Sequence, residues 1–225
     1  MLDMGTKDDR PDRLRQRQGH DPAFPRLLGG RFCLDFANTV ESPHAEPHDY
    51  LTGYAALGRW ARHAGLLTNE QAARLIAAGE RRPDAAEAAF RQGLALRAAI
   101  QGAFTRIVAG EDPAPGDLAT IQAMDVAGLT RARLTARDDG FVWMWDDEAM
   151  RDDLERPFWE VARSAIELLT AGELARVKTC AGPEGCGWLF YDTSRNGSRR
   201  WCSMEGCGSR AKMRRYTARR RQARS

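Results

Sequence analysis

Four cysteines near the end of the chain carry the spacing of a metal site. Five residues lie between Cys180 and Cys186, four between Cys202 and Cys207, and fifteen between the two pairs. Thiolates are soft ligands, and zinc takes four of them in a tetrahedron with bonds of about 2.3 Å. Two short-spaced pairs gather four sulfurs by closing a single long loop. Gly187 and Gly208 directly follow Cys186 and Cys207, where a tight turn around a metal favours residues without a Cβ. Buried free thiols or two disulfides are the plainer alternatives, and an iron–sulfur cluster binds thiolates too, which spacing alone leaves open. The expected occupant is one structural Zn²⁺, because four thiolates leave no open position for a reacting water. Cys33 stands alone in an apolar stretch and is expected in the core.

The residues after the zinc pattern have a chemistry of their own. From Arg176 onward thirteen basic residues face three acidic ones, a net +10, which leaves −7 for the rest of a chain whose total is +3. A basic tail on an acidic body suits a polyanion, most economically nucleic acid, because arginine displaces counterions from phosphates and pairs with guanine edges. Winding residues 210–224 at a helical pitch lines up Arg210, Arg214, Thr217, Arg221 and Arg224 on one stripe, with Arg199 and Arg200 extending it. Met213 and Tyr216 fall beside the stripe, placed to pack on Trp188 and Phe190. A solvated tail without a partner is the plainer alternative.

The elements that must carry these groups can be read from punctuation and period. Residues 1–25 are polar and charged, an expected disordered arm; 26–172 read as a helical domain and 173–225 as the zinc module. Phe32, Phe36 and Val40 recur every four residues after Gly29-Gly30 and predict a helix. Further helices are expected at 54–65, 69–81 with a Thr68/Gln71 capping box, 84–110 with Pro83 at its start and Gly110 at its end, 115–128, and 157–172. Around Asp139-Gly140 the period changes to two and predicts a hairpin, with another expected around Asn196-Gly197 inside the zinc module. A last helix starts near Cys207. The fold class is mainly α with a small β-hairpin (α+β), ending in a treble-clef-like zinc finger.

With its motifs laid out, the sequence resembles the proteins that join an N-terminal ABATE domain to a C-terminal CGNR zinc finger, described as stress-induced transcription regulators. The likeness rests on LLGGRFCLDFANT near the start, CGWLFYDTSRNGSRRWCSM in the finger, and CGSR at Cys207–Arg210, where Ser209 stands in place of the signature asparagine. It covers nearly the whole chain after Arg26, and it implies DNA binding and control of transcription.

In the long helix, Phe90, Leu94, Phe104 and Val108 form a stripe with Arg97 and Gln101 in its middle. A buried guanidinium needs a partner, and Asp35 is the candidate. A structural ion pair is the first reading; a pocket of Asp35, Asn38, Arg97 and Gln101 for an anionic small-molecule effector is the sharper one. His44, Glu46 and His48 read as a surface loop, since Pro47 spoils a helical pair of ligands. There is no P-loop, dinucleotide fingerprint, GxSxG or HExxH, so the chain is expected not to be an enzyme. No apolar run approaches the roughly 20 residues of a membrane span, and no signal peptide is seen, so a cytoplasmic site is expected. The expectation is a zinc-finger DNA-binding regulator whose body senses a ligand, forms a homodimer, or both; the alternative is a zinc-stabilised module for RNA or a protein partner.

Overall fold

The computed structural model describes residues 21–40, 48–138, 140–146, 150, 152–170, 173–182 and 186–222. The arm before Asp21, His44, Glu46, Asp139 and Arg224 lie outside the described residues. Helices α1 (Phe32–Ala37), α2 (Tyr54–His63), α3 (Asn69–Arg81), α4 (Pro83–Val108) and α5 (Pro115–Leu129) precede a hairpin of β1 (Ala132–Arg137) and β2 (Gly140–Trp145). Helix α6 (Arg156–Thr170), β3 (Val177–Thr179), β4 (Leu189–Tyr191), a π turn (Met204–Gly208) and α7 (Ser209–Gln222) complete the chain. No described helix is long and apolar enough to cross a membrane.

Local chemistry sets these boundaries where the sequence says it should. Thr68 Oγ1 accepts the N–H of Gln71 at 3.2 Å while Gln71 Oε1 accepts the N–H of Thr68 at 2.8 Å, so α3 starts on a complete capping box. Pro83 opens α4, and Gly110 takes a left-handed φ of 78° just past its end. The first helix is shorter than its apolar period suggests: Val40 lies beyond it, in a bridge with Asp49.

The core forms where α1 is wrapped by α2, α4 and α6. Phe36 sits 4.9 Å from Trp60 and 6.2 Å from Phe158, ring centre to ring centre, and Cys33 is fully buried as expected. The face that α4 turns inward is not the stripe of large residues. Leu96, Ile100 and Phe104 are buried together with Ala86, Ala89, Gly93 and Ala103, whereas Val108 is exposed. Close approach is the reason: a Cβ at Gly93 would fall 2.2 Å from the ring of Phe158, and one at Gly128 of α5 would fall 2.7 Å from the Trp159 side chain. Small residues on α4 and α5 let α6 pack against their backbones.

The hairpin pairs Leu134 with Trp143 and Ala136 with Phe141. Its base is fixed by Trp145, whose indole N–H donates to Gly128 O at 2.8 Å and whose ring lies 5.9 Å from that of Trp159.

In the finger, β4 pairs antiparallel with β3, Val177 opposite Tyr191 and Thr179 opposite Leu189, and not with the chain returning after Asn196-Gly197. The reason is that the other edge of β4 is already taken by the body. Leu189 exchanges both backbone hydrogen bonds with the Asn38 side chain, and Tyr191 N–H donates to Gly29 O at 2.8 Å. Val177, Leu189 and Tyr191 accordingly join the core of the helical body.

Candidate metal centre

The two ligand pairs are delivered by different devices. Cys180 leaves β3 and Cys186 leads into β4, with Cys180 N–H donating to Trp188 O at 2.8 Å across the knuckle and Gly187 supplying a left-handed φ of 63°. Gly182, which its sequence context does not single out, is required by space: a Cβ there would fall 2.9 Å from Cys207 Sγ and 3.0 Å from Cys186 Cβ. The knuckle can close on the second pair only with glycine at that position.

Cys202 and Cys207 are held by the segment that follows. Asp192 is fully buried and accepts hydrogen bonds from Lys178 Nζ at 2.7 Å, Ser194 N–H at 2.9 Å, Ser194 Oγ at 2.5 Å and Arg199 N–H at 2.8 Å. Burial alone would raise its pKa, but these donors outweigh it and hold the carboxylate ionised, below the usual range. The same donors are lost to any cross-strand ladder, a second reason why no hairpin forms around Asn196-Gly197. The Arg199 guanidinium lies 4.6 Å above the Phe190 ring and donates to the carbonyls of Trp201 and Cys202. It therefore positions the third ligand from inside the finger, and not the surface on which the sequence would put it. Arg200 remains exposed beside the Trp201 ring.

Cys207 sits in the π turn. Ser203 Oγ accepts the N–H of Gly206 at 3.2 Å, and Ser209 Oγ donates to Met204 O at 3.0 Å, so serine closes this turn at the position of the signature asparagine. A Cβ at Gly208 would meet the end of the exposed Met204 side chain at 3.0 Å.

The ligand atoms of Cys180, Cys186, Cys202 and Cys207 all lie within 4.8 Å of one another. The Cys186–Cys202 and Cys202–Cys207 sulfurs are each 3.8 Å apart. A tetrahedron with zinc–sulfur bonds of about 2.3 Å has edges of about 3.8 Å. None of the five cysteines is in a disulfide. The residues fit one structural zinc, and its closed thiolate shell supplies a cross-link between the two ligand pairs. Three of the thiols are coupled through their hydrogen bonds. Cys180 is held far below the ordinary thiol value by S–H donation from Cys186 and then Cys202, and those two are pushed up because they supply the protons. A divalent cation removes that coupling by taking all four as thiolates. Two donors point at these sulfurs: Cys202 N–H at Cys180 Sγ and Arg210 Nη2 at Cys207 Sγ, each at 3.2 Å.

Helix α7 leaves this centre with no buried residue on any side. Met213 and Tyr216 are exposed, so they do not pack on Trp188 and Phe190 as the sequence suggests. Trp188 instead packs with Phe190, Trp201 and Leu28 of the body in a small finger core. Arg210, Arg214, Thr217 and Arg221 do share one face, which with Met213 and the π turn borders an open groove of about 1130 Å³.

The candidate pocket of the body resolves into internal bonds. Arg97 pairs with Asp49, not Asp35, at 2.7 and 2.6 Å through both terminal nitrogens, and also reaches Thr39 Oγ1 at 3.2 Å. The Val40–Asp49 bridge brings Asp49 there. Burial would raise the Asp49 pKa, but the Arg97 hydrogen bonds prevail and lower it. Asp35 accepts the N–H of Gly29 at 2.7 Å, Asn38 clamps Leu189, and Gln101 is half-buried one turn beyond Arg97.

Comparison with known families agrees with these two halves. Residues 30–172 match the ABATE family, described as "putative stress-induced transcription regulator", and residues 176–220 match the CGNR zinc finger. No curated protein matches the chain.

Proposed function

We propose, for a chain that belongs to the ABATE family and ends in a CGNR zinc finger, that it is a transcription regulator whose zinc-held terminal helix binds duplex DNA. The observation that carries this reading is α7. It is 14 residues long, about 21 Å, carries Arg210, Lys212, Arg214, Arg215 and three arginines in its last turn, and buries none of them. A helix of this diameter fits the DNA major groove, which is about 12 Å wide. Like charges four residues apart, Arg210 with Arg214 and Arg215 with Arg219, destabilise a free helix, and phosphates relieve that repulsion. Arg200, Arg214 and Arg221 are the expected phosphate and base contacts, with Arg210 shared between the groove and Cys207. Arg199 is left out because its guanidinium is engaged within the finger. The role is binding and not catalysis, in keeping with a metal shell that has no open position.

Selection of full-length, zinc-loaded protein on a random pool of DNA duplexes at near-physiological salt tests the reading. Enrichment of a shared motif is expected, weakened in the double variant Arg214→Ala/Arg221→Ala, with a plot of log affinity against log salt shallower by about 2. Uniform retention that vanishes as salt rises, or preference for RNA or an acidic protein over any duplex, overturns it.

A further inference from the structure

The β1–β2 hairpin places large apolar side chains in water. Leu134, Phe141 and Trp143 are 57%, 72% and 51% exposed. The register sets Leu134 opposite Trp143 and Phe141 two residues from Trp143, so all three share one face. Strand β2 reads GFVWMW, with neither a charge nor a proline. Among the described residues it pairs with β1 on one edge and with no strand on the other. Ladder bonds alternate along an antiparallel pair, so every second residue of β2 turns its N–H and C=O toward that outer edge. Soluble proteins guard such an edge with charge, proline or a bulge. Strand β1 carries Arg133 and Arg137, whereas β2 carries nothing of the kind.

We propose that the outer edge of β2 is a homodimer interface, in which β2 pairs antiparallel with β2 of a second copy about a two-fold axis at Trp143. A two-fold there sets Trp143 beside its own symmetry mate and Phe141 of each copy opposite Trp145 of the other. These are cross-strand aromatic pairs, the kind that stabilises a sheet. The occupant is a second copy because the strand is complementary to itself. The part of the chain before Arg176 carries a net −7, which opposes contact between copies through charged surface, while β2 meets its mate with no charge in apposition. Pairing also closes: the resulting four-stranded sheet ends on β1 at both sides, where the exposed Arg133 guanidinium opposes addition of a third chain. Phe141 and Trp143 expose roughly 250 Å² of apolar surface per copy, and edge pairing covers the flanks of both rings. The paired backbones and the Trp145 flank add to this contact.

Sedimentation equilibrium of the zinc-loaded full chain at micromolar concentration tests the interface. Twice the single-chain mass is expected for the wild type, and the single-chain mass for Trp143→Lys, which sets two ammonium groups face to face at the axis. Trp143 is half exposed, so that variant should keep the wild-type helical signal; if it does not, Phe141→Lys at the exposed end of β2 takes its place. A single-chain mass for the wild type, an open series of larger species, or a two-chain mass that survives the lysine overturns the proposal. The measurement contains no DNA, so its failure and that of the DNA reading are distinguishable.

Discussion

Replacing Asn38 with leucine removes the clamp between body and finger while keeping a side chain of similar volume. In the wild type Asn38 Nδ2 donates to Leu189 O at 2.8 Å and Leu189 N–H donates to Asn38 Oδ1 at 3.0 Å, both buried. Asn38 is 5% exposed and Leu189 2%, so water cannot take over either backbone group of Leu189. A buried polar group left unmade costs about 1–3 kcal/mol, and the variant strands two of them, a loss of about 3 kcal/mol. For a chain of this size each kcal/mol shifts the melting temperature by about 2–4 °C, so Tm should fall by about 6–12 °C. Calorimetry and urea unfolding at neutral pH with zinc present measure it. Asn38→Asp should lose at least as much at neutral pH, because its carboxylate keeps the acceptor for Leu189 N–H but sets a buried charge against Leu189 O. A loss under about 1 kcal/mol in Asn38→Leu would refute the clamp and return Asn38 to the role of a pocket residue.

Arg97→Met should cost about 2 kcal/mol at neutral pH, the range of a charge-assisted hydrogen bond whose partner Asp49 keeps partial access to water. The Asp49 pKa is lowered in the fold, so its contribution is complete above about pH 5 and is lost as pH falls below the ordinary aspartate value of about 3.9. The gap between wild type and variant in urea unfolding should therefore close in acid; a gap independent of pH would remove Asp49 as the partner that matters. Chelation should release one zinc per chain and speed tryptic cleavage between Arg199 and Arg215, while the calorimetric transition of the helical body persists. Loss of that transition together with the metal would show that β3 and β4 are not held by the body core.

The contrast between what could be read and what could not follows from range in sequence. Helix α3 was legible to the residue because its capping box spans three positions, and the zinc ligands because their spacing repeats within a short segment. Strand β3 was not, since three residues, Val177–Thr179, are too few to show a period of two. Asp49 was invisible as the partner of Arg97 because it lies 48 residues away, in a stretch with no apolar pattern. Gly93 and Gly128 carry no mark of their role in the sequence and prove to be where α6 comes closest. In each case the missing information is the identity of the neighbour, which only the packed chain supplies.

The stretch LLGGRFCLDFANT is where this matters most for function. By period it is the first helix of the body, yet half of its chemistry is directed at the finger. Leu28 packs into the finger core, Gly29 O receives Tyr191 N–H, the Arg31 guanidinium lies 4.0 Å over the Tyr191 ring, and Asn38 holds Leu189. Glycine folds this segment back over the start of α1, where a Cβ at Gly29 would fall 2.7 Å from Asp35 N, and Gly30 takes a φ of 75°. The knuckle strands are thus fixed to the body without metal, and zinc then fixes the π turn and α7 to the knuckle through Cys202 and Cys207. Orientation passes from α1 to α7 through hydrogen bonds and metal ligands. If two chains pair along β2 and α7 binds DNA as proposed, the spacing between half-sites becomes a property of the body's packing.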